Sequence, residues 1–177
     1  STSAGLWSYN IGDTIKFTSI DPYRIIVSGR IKHFLSAFGE HVISEEVEKA
    51  MEAATKLHNV AIREFTVAPN INPIDMLPHH EWYVEFENFP EDMSAFTKSL
   101  DNEMINQNIY YKDLIDGKIL KSLEVISVER GGFNNYMKSV GRLGGQNKVP
   151  RLSNDRKIAD KLKTCLLYTS DAADDSL

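Results

Sequence analysis

The spacing of apolar and polar residues divides the chain into a hairpin and a longer run of helices and strands. Apolar and polar side chains alternate from Thr14 to Ile20, and a second run of β-branched and aromatic residues follows the Asp21-Pro22 turn. Farther along, apolar residues recur at helical spacing in two segments. In three other segments apolar and polar residues alternate, as they do in strands. The pattern predicts two strands within residues 14–29, helices near 44–58 and 91–107, and strands near 60–68, 80–87 and 122–129.

The order of these elements predicts an α+β domain. Helix, strand, strand, helix and strand follow the hairpin, and this order lets two helices lie on one face of a small, mainly antiparallel sheet. Ser44 is the predicted N-cap of the first helix, and the segment from Tyr110 to Gly117 is predicted to end the second helix in a turn. Gly131-Gly132 is expected to lead into a short helix.

Composition narrows the class of protein. The 177 residues are 42% hydrophobic and 25% charged, which is typical of a globular domain, and a net charge of -5 argues against general nucleic-acid binding. No run of 18 apolar residues is present, so we predict no membrane span and a cytoplasmic location. The single cysteine, Cys165, excludes an internal disulfide and a cysteine-cluster metal site.

Adjacent histidines raise the question of a metal site. His79 and His80 precede a predicted strand, in which neighbouring side chains point to opposite faces and cannot easily chelate one ion. No cysteine or further histidine is placed to complete a ligand set, and we predict no metal ligands in this chain.

Candidate chemistry lies at the ends of the hairpin. Gly12 permits a tight turn, and Asp13 after it can act either as a structural cap or as an acceptor for sugar hydroxyls. A hairpin brings its two ends together, so we expect Asp13 and Arg30 to lie near one another.

A second candidate is the loop from Gly141 to Leu152, which contains three cations and few apolar residues. Its glycines permit close backbone approach, and Lys148 carries a compact ammonium group that can reach a phosphate or carboxylate oxygen. A surface loop with an idle lysine would have the same composition.

Four motifs resemble known enzymes. Tyr9-x-x-Gly-Asp13, followed seventeen residues later by Gly29-Arg30-x-Lys32, resembles the junction between the large and small domains of adenylate-forming enzymes. With Gly131-Gly132-Phe133 and the segment Gly144-Gly145-Gln146-Asn147-Lys148-Val149-Pro150-Arg151, these motifs look like the C-terminal part of the Gretchen Hagen 3 auxin-responsive family, with its bacterial branch as the closer match. The similarity extends from about residue 4 to residue 163.

The resemblance implies an acyl-acid amido synthetase that activates a carboxylic acid with Mg-ATP and transfers the acyl group to an amino acid. It implies that Asp13 binds the ribose of ATP with the help of Arg30, that Ile31 and Lys32 form a hinge, and that Lys148 is the catalytic lysine. The family's acyl-acid pocket, its adenine segment and its phosphate loop, and with them most contacts to ATP and Mg²⁺, correspond to sequence upstream of residue 1. We therefore expect this chain to be inactive alone and to work with its own N-terminal domain.

The same resemblance divides the chain. Residues 1–32 are expected to be the end of the large adenylation domain and the hinge, and residues 33–163 the mobile C-terminal domain. Residues 164–177 resemble the translation of a sequencing adapter, and we expect this tail to be disordered or extended.

Two other functions are compatible with the sequence. An acid–thiol ligase using coenzyme A shares the hinge motifs, and a non-catalytic α+β ligand-binding domain would share the fold without using Asp13 or Lys148.

Overall fold

A computed structural model describes residues 13–30, 34–142 and 148–170 of the chain, with the backbone alone for residues 13–14, 28–30 and 164–170. Seven strands and five helices are defined within these ranges. The elements are β1 (Asp13–Ile20), β2 (Tyr23–Arg30), β3 (Phe34–Leu35), β4 (Val42–Ile43), α1 (Ser44–Leu57), β5 (Ala61–Asn70), β6 (His79–Asn88), α2 (Met93–Gln107), α3 (Ile109–Asp116), β7 (Glu124–Val128), α4 (Gly132–Ser139) and α5 (Lys157–Ser170).

The centre of the fold is a three-stranded sheet in the order β5-β6-β7. Strands β5 and β6 run antiparallel, whereas β7 runs parallel to β6 because α2 and α3 return the chain to the same end of the sheet. A short segment around Leu152 lies parallel to β5 next to Val67. The predicted α+β class is confirmed, and the sheet is mixed.

One face of the sheet is covered by α1 and α2. Trp82 of β6 is fully buried there, stacked at 5.7 Å between ring centroids on Phe65 of β5. Buried residues of both helices pack on this layer, because their apolar side chains recur on one stripe of each helix. They include Val47, Ala50, Met51, Phe96, Leu100 and Met104. The two helices predicted from sequence therefore lie on one face, as expected.

The opposite face carries a second helical layer, which the sequence pattern did not predict. Tyr83 of β6 and Val128 of β7 pack there against Phe133 of α4 and Leu162 of α5. Neighbouring residues of β6 alternate between the two layers, so β6 is buried on both faces over most of its length. Glu81 and Glu85, whose side chains lie on this face of β6, are consequently buried rather than exposed to water.

Three element boundaries differ from the sequence prediction. Asn108 adopts an extended conformation and its side chain accepts a hydrogen bond from the Tyr111 amide, so residues 109–116 form a separate helix instead of ending α2. Helix α1 begins at Ser44 itself, and the Ile43 amide donates to the Glu46 carboxylate at 3.0 Å. Helix α5 continues to Ser170, although residues 165–170 were expected to be disordered or extended; in the sequence, the apolar spacing of Ile158 and Leu162 continues at positions 165 and 166.

The start of α4 provides a test of the close packing between α4 and β7. A Cβ atom on Gly132 would lie 2.5 Å from Cγ1 of Val128, a stiff and buried side chain. We expect Gly132→Ala to lower the free energy of unfolding by about 1–3 kcal/mol, as overpacking does in a buried site. Urea denaturation measures it, with the exposed Asn134→Ala on the same helix as control. Because alanine ordinarily stabilises a helix relative to glycine, a stabilised variant would contradict the contact.

None of the described helices combines the length and the apolar character needed to cross a membrane.

Candidate functional site

Lys148 stands beside a segment that is fixed to the sheet. The next residue, Val149, is buried, and the Pro150 carbonyl accepts a hydrogen bond from Thr66 Oγ1 at 2.7 Å. The Arg151 carbonyl accepts from the Val67 amide, and the Ser153 amide donates to the Val67 carbonyl. The side chain of Lys148 is exposed, and within the described part of the chain it has no carboxylate partner. The fold thus presents an unpaired ammonium group on an anchored backbone.

Arg151 fastens this segment from its side chain as well. Its guanidinium group forms ion pairs with Glu48 of α1 and Glu64 of β5, and Nη1 also donates to the Phe65 carbonyl at 3.1 Å. The guanidinium carbon lies 4.5 Å from the centroid of the Phe65 ring, which is a cation–π contact. One side chain therefore joins the Lys148 segment, helix α1 and strand β5.

The hairpin places the other two candidate residues opposite each other. Asp13 and Arg30 are Cα partners at the open end of the antiparallel pair β1–β2, as the sequence predicted. The structure describes only the backbone at these two positions. Ile31 and Lys32, the predicted hinge, lie outside the described residues, as do residues 143–147 of the lysine loop.

The hairpin also exposes an unusual amount of apolar surface. Seven large apolar side chains of β1, β2 and the turn end are each at least half exposed: Ile15, Phe17, Ile20, Tyr23, Ile25, Ile26 and Val27. A two-stranded hairpin by itself is marginally stable in water, and large apolar side chains exposed in this number are typical of an interface. The hairpin therefore has the character of an element that packs against further protein.

The segment after the hinge is tied to both the sheet and the Lys148 segment. Glu40 is fully buried, with one carboxylate oxygen 3.0 Å from His80 Nε2 and the other accepting from the Phe38 amide. Burial raises the pKa of Glu40, but the hydrogen bond and charge of His80 lower it more, so this pKa lies below its ordinary value of 4.5. Asn154 accepts a hydrogen bond from the Ser36 amide and donates to the Phe34 carbonyl.

A buried carboxylate on the second face of the sheet holds α5 in place. Glu81 is 2% exposed and accepts hydrogen bonds from the Tyr83 hydroxyl, Arg156, Lys163 and Asn70. Burial raises the pKa of Glu81, but these hydrogen bonds and the charge of Arg156 outweigh it and hold the pKa at about 2. Tyr83 is affected in the opposite direction, since burial and the Glu81 carboxylate raise its pKa.

One group of possible metal ligands occurs in the described part of the chain. Ligand atoms of His79, Glu81 and Glu124 lie within 4.8 Å of one another, and the buried His79 Nε2 has no hydrogen-bond donor or acceptor in proper geometry, although Glu124 is 3.2 Å away. The sequence argument considered only cysteine and histidine as partners and missed these two carboxylates. However, four donors already occupy both oxygens of Glu81, and two of them are cations. A divalent ion would have to displace these donors, so we assign no metal here.

Sequence reasoning found Asp13, Arg30 and Lys148 but missed the groups that fix their surroundings. Arg151 was part of a quoted motif, yet its partners Glu48 and Glu64 are 103 and 87 residues away. Glu40 and His80 are 40 residues apart. No local pattern indicates such pairs, because each acid alone is typical of an exposed position.

Comparisons with known proteins agree with this architecture. The profile of the GH3 family C-terminal domain matches residues 45–157, which is more than half of the chain. Among solved structures, GH3.15 acyl acid amido synthetase aligns with a TM-score of 0.72 and 21% identity, covering 93% of this chain and 32% of that one. AtGH3.15 acyl acid amido synthetase in complex with 2,4-DB aligns with a TM-score of 0.71 and 20% identity, covering 93% of this chain and 31% of that one.

Among curated proteins, none matches this chain. At 20–21% identity the structural likeness establishes the fold, and the chain spans about a third of the length of these enzymes. The profile match covers α1 to the first residue of α5, and so includes the sheet, helices α1 to α4, and the exposed Lys148 with its anchors. With that match over more than half of its length, the chain belongs to the GH3 family, of which it contains the C-terminal domain.

Proposed function

We propose that the chain is the C-terminal part of an ATP-dependent acyl-acid amido synthetase, which adenylates a carboxylic acid and conjugates it to an amino acid. The observation that supports this most directly is Lys148, an exposed ammonium group that has no carboxylate partner among the described residues and lies next to a backbone that is hydrogen-bonded to the sheet. The enzymes with the same fold are acyl acid amido synthetases by name. The isolated chain is expected to be inactive.

Lys148 suits the first half of such a reaction. Attack of a carboxylate on the α-phosphate of ATP forms the acyl-adenylate and releases pyrophosphate. It brings two anions together, and the developing charge on the oxygens bound to the α-phosphorus needs a positioned cation. An ammonium group already paired with a carboxylate would supply little of this stabilisation. Lys148 has no such partner among the described residues, which leaves its charge available to a phosphate.

Asp13 and Arg30 would bind the ribose of ATP from the open end of the hairpin. Their backbone pairing in β1 and β2 supports a joint role, since a carboxylate accepts hydrogen bonds from hydroxyl groups and an adjacent guanidinium group can orient it. The remaining contacts to ATP, and those to Mg²⁺, would come from the N-terminal domain of the complete protein. Mg²⁺ would there neutralise phosphate charge.

Rotation at Ile31 and Lys32 would move the domain that carries Lys148. Asn154 bonds the first residues after this hinge to the chain just beyond Arg151, and Glu40 bonds the same loop to the sheet through His80. A change in a few dihedral angles at the hinge would therefore move Lys148 together with residue 34 and the sheet. This motion would withdraw Lys148 after adenylation and admit the amino acid.

The apolar hairpin supports the existence of a covering domain. Side chains such as Phe17, Tyr23 and Val27 are 56%, 79% and 66% exposed. A large N-terminal domain packed against the hairpin would remove this apolar surface from water. It would also place Asp13 and Arg30 at the border between the two domains.

The experiment is carried out on the complete protein with ATP and single carboxylic acids, benzoate and hexanoate among them. Acyl-adenylate is trapped with hydroxylamine in one reaction, and in separate reactions amino acid or coenzyme A is offered as the acceptor. We expect acyl hydroxamate and amino-acid conjugate without thioester. Thioester as the main product would favour an acid–thiol ligase, and an absence of hydroxamate with every acid would favour a non-catalytic binding domain.

A further inference from the structure

We propose that Arg151 is a positioning residue that sets the location of Lys148 for adenylation, an inference that rests on the proposed function. Arg151 lies three residues after Lys148 and is the one side chain of the segment 148–153 with ion pairs to two different elements in the described chain. It would act on the reaction through Lys148 and not by touching the substrates.

In the described part of the chain, the backbone hydrogen bonds attach the segment 148–153 to strand β5 only. Hydrogen bonds from Thr66 and Val67 attach residues 150–153 to β5. They do not connect the segment to α1, which lies over the same face of the sheet. The guanidinium group makes that connection, since Nε bonds Glu48 of α1 while Nη1 bonds Glu64 of β5. The segment is thereby held between helix and strand.

The guanidinium group also rests on a rigid surface. It lies over Phe65, whose ring is stacked at 9° on the fully buried Trp82. Arginine is suited to this position because its planar fork donates to two carboxylates while it stacks on an aromatic ring. A lysine has the same charge but can neither stack in this way nor donate in two fixed directions.

The charges distinguish the roles of the two cations. Arg151 is neutralised by Glu48 and Glu64 and is only 30% exposed, whereas Lys148 is exposed and has no carboxylate partner among the described residues. Only Lys148 is therefore free to approach an anionic substrate. A displacement of about 1 Å at a reacting group can lower the rate by two orders of magnitude. A residue that anchors the backbone three positions after Lys148 can therefore affect the reaction.

The test compares Arg151→Lys with Arg63→Lys in the complete enzyme. Arg63 lies on the same strand as Glu64 but pairs with the exposed Glu87 at 3.5 Å, so it is a matched arginine without a link to the Lys148 segment. We expect Arg151→Lys to slow acyl-adenylate formation roughly tenfold. Amide formation from synthetic acyl-adenylate should stay within about twofold of wild type, because Lys148 has no part in that step. Arg63→Lys should change neither rate.

A double variant shows whether Arg151 acts through Lys148. The combination of Lys148→Ala and Arg151→Lys should be no slower than Lys148→Ala alone, because the anchor has no effect once the lysine is gone. Multiplied losses would mean that Arg151 contacts the substrates itself. Equal losses in both half-reactions would mean a general structural role, and either result overturns the inference.

Hydrogen exchange and a Glu48→Gln variant test the anchoring by Arg151 in two further ways. Hydrogen exchange of peptides covering residues 148–153 should accelerate in Arg151→Lys and not in Arg63→Lys, and this holds whether or not the enzyme is active. If Arg151→Lys does not fold, Glu48→Gln removes only one exposed ion pair and should slow the same half-reaction by a smaller factor. A wild-type enzyme that forms no acyl-adenylate would overturn the proposed function. Adenylate formation by wild type with an unaffected Arg151→Lys would overturn this inference alone.

Discussion

Lys148→Ala in the complete enzyme should lower the rate of acyl-adenylate formation by about 10²-fold or more. This is the loss that follows when one preorganised charge is removed from a transition state that gains negative charge. Amide formation from synthetic acyl-adenylate should change much less, because the lysine would be withdrawn before that step by the rotation proposed at Ile31 and Lys32. Each half-reaction is measured separately, with ATP and acid in one assay and synthetic acyl-adenylate and amino acid in the other.

Lys138→Ala is the matched control for this prediction. Lys138 is an exposed lysine near the end of α4, ten residues before Lys148, and it makes no contact with the Lys148 segment in the described structure. Its removal should leave both half-reactions unchanged. Equal losses for Lys148→Ala in the two assays would contradict its assignment and would leave the segment as scaffolding.

Glu81→Gln should lower the free energy of unfolding by about 2–3 kcal/mol at pH 7. The substitution keeps the shape of the side chain but leaves Arg156 and Lys163 without their buried counter-charge. We expect less than the full cost of breaking a buried pair because Lys163 is 41% exposed and can turn toward water. Urea denaturation measures the loss. Glu87→Gln on the same strand is the control, with an expected change below about 0.5 kcal/mol, since its ion pair with Arg63 is exposed.

The pH dependence gives an independent check on Glu81. Its pKa in the folded protein is about 2, below the ordinary value of 4.5, so the stabilisation is complete above pH 4.5 and is lost as the pH falls toward 2. The difference in unfolding free energy between wild type and Glu81→Gln should therefore shrink over that interval. Glu40 also has a lowered pKa, but it is present in both proteins and its contribution cancels in the difference. Glu124 does not cancel completely, because the charge of Glu81 raises its pKa and the substitution removes that charge. A difference that stays constant down to pH 2 would mean that folding does not lower the pKa of Glu81.

The local fold was largely readable from the sequence. Alternation in β5, β6 and β7 and the apolar stripe of α1 and α2 follow from side-chain periods of 2 and 3.6, which do not depend on distant residues. The hairpin turn likewise places Asp13 opposite Arg30, because an antiparallel pair fixes the register from its turn. The separate helix α3 was missed because its boundary depends on the single side chain of Asn108, which caps it.

The candidate site was readable only in part. The identity of Lys148 followed from a motif, whereas its unpaired state and its anchored backbone depend on which residues are its neighbours in space. Its anchor at Arg151 requires Glu48 and Glu64, and a sequence pattern cannot select those two acids from the 25 present.

The alternation of side chains in β6 was readable from the sequence, whereas the burial of both of its faces was decided by the tertiary structure. The sequence determined that Trp82 and Val84 share one face and that Glu81, Tyr83 and Glu85 share the other, because successive side chains of a strand alternate. It could not determine that the acidic face is covered. That depended on Arg156, just before α5, and Lys163 of α5, which pair with Glu81 from 75 and 82 residues away, since a buried carboxylate is stable only where opposite charges and donors meet it.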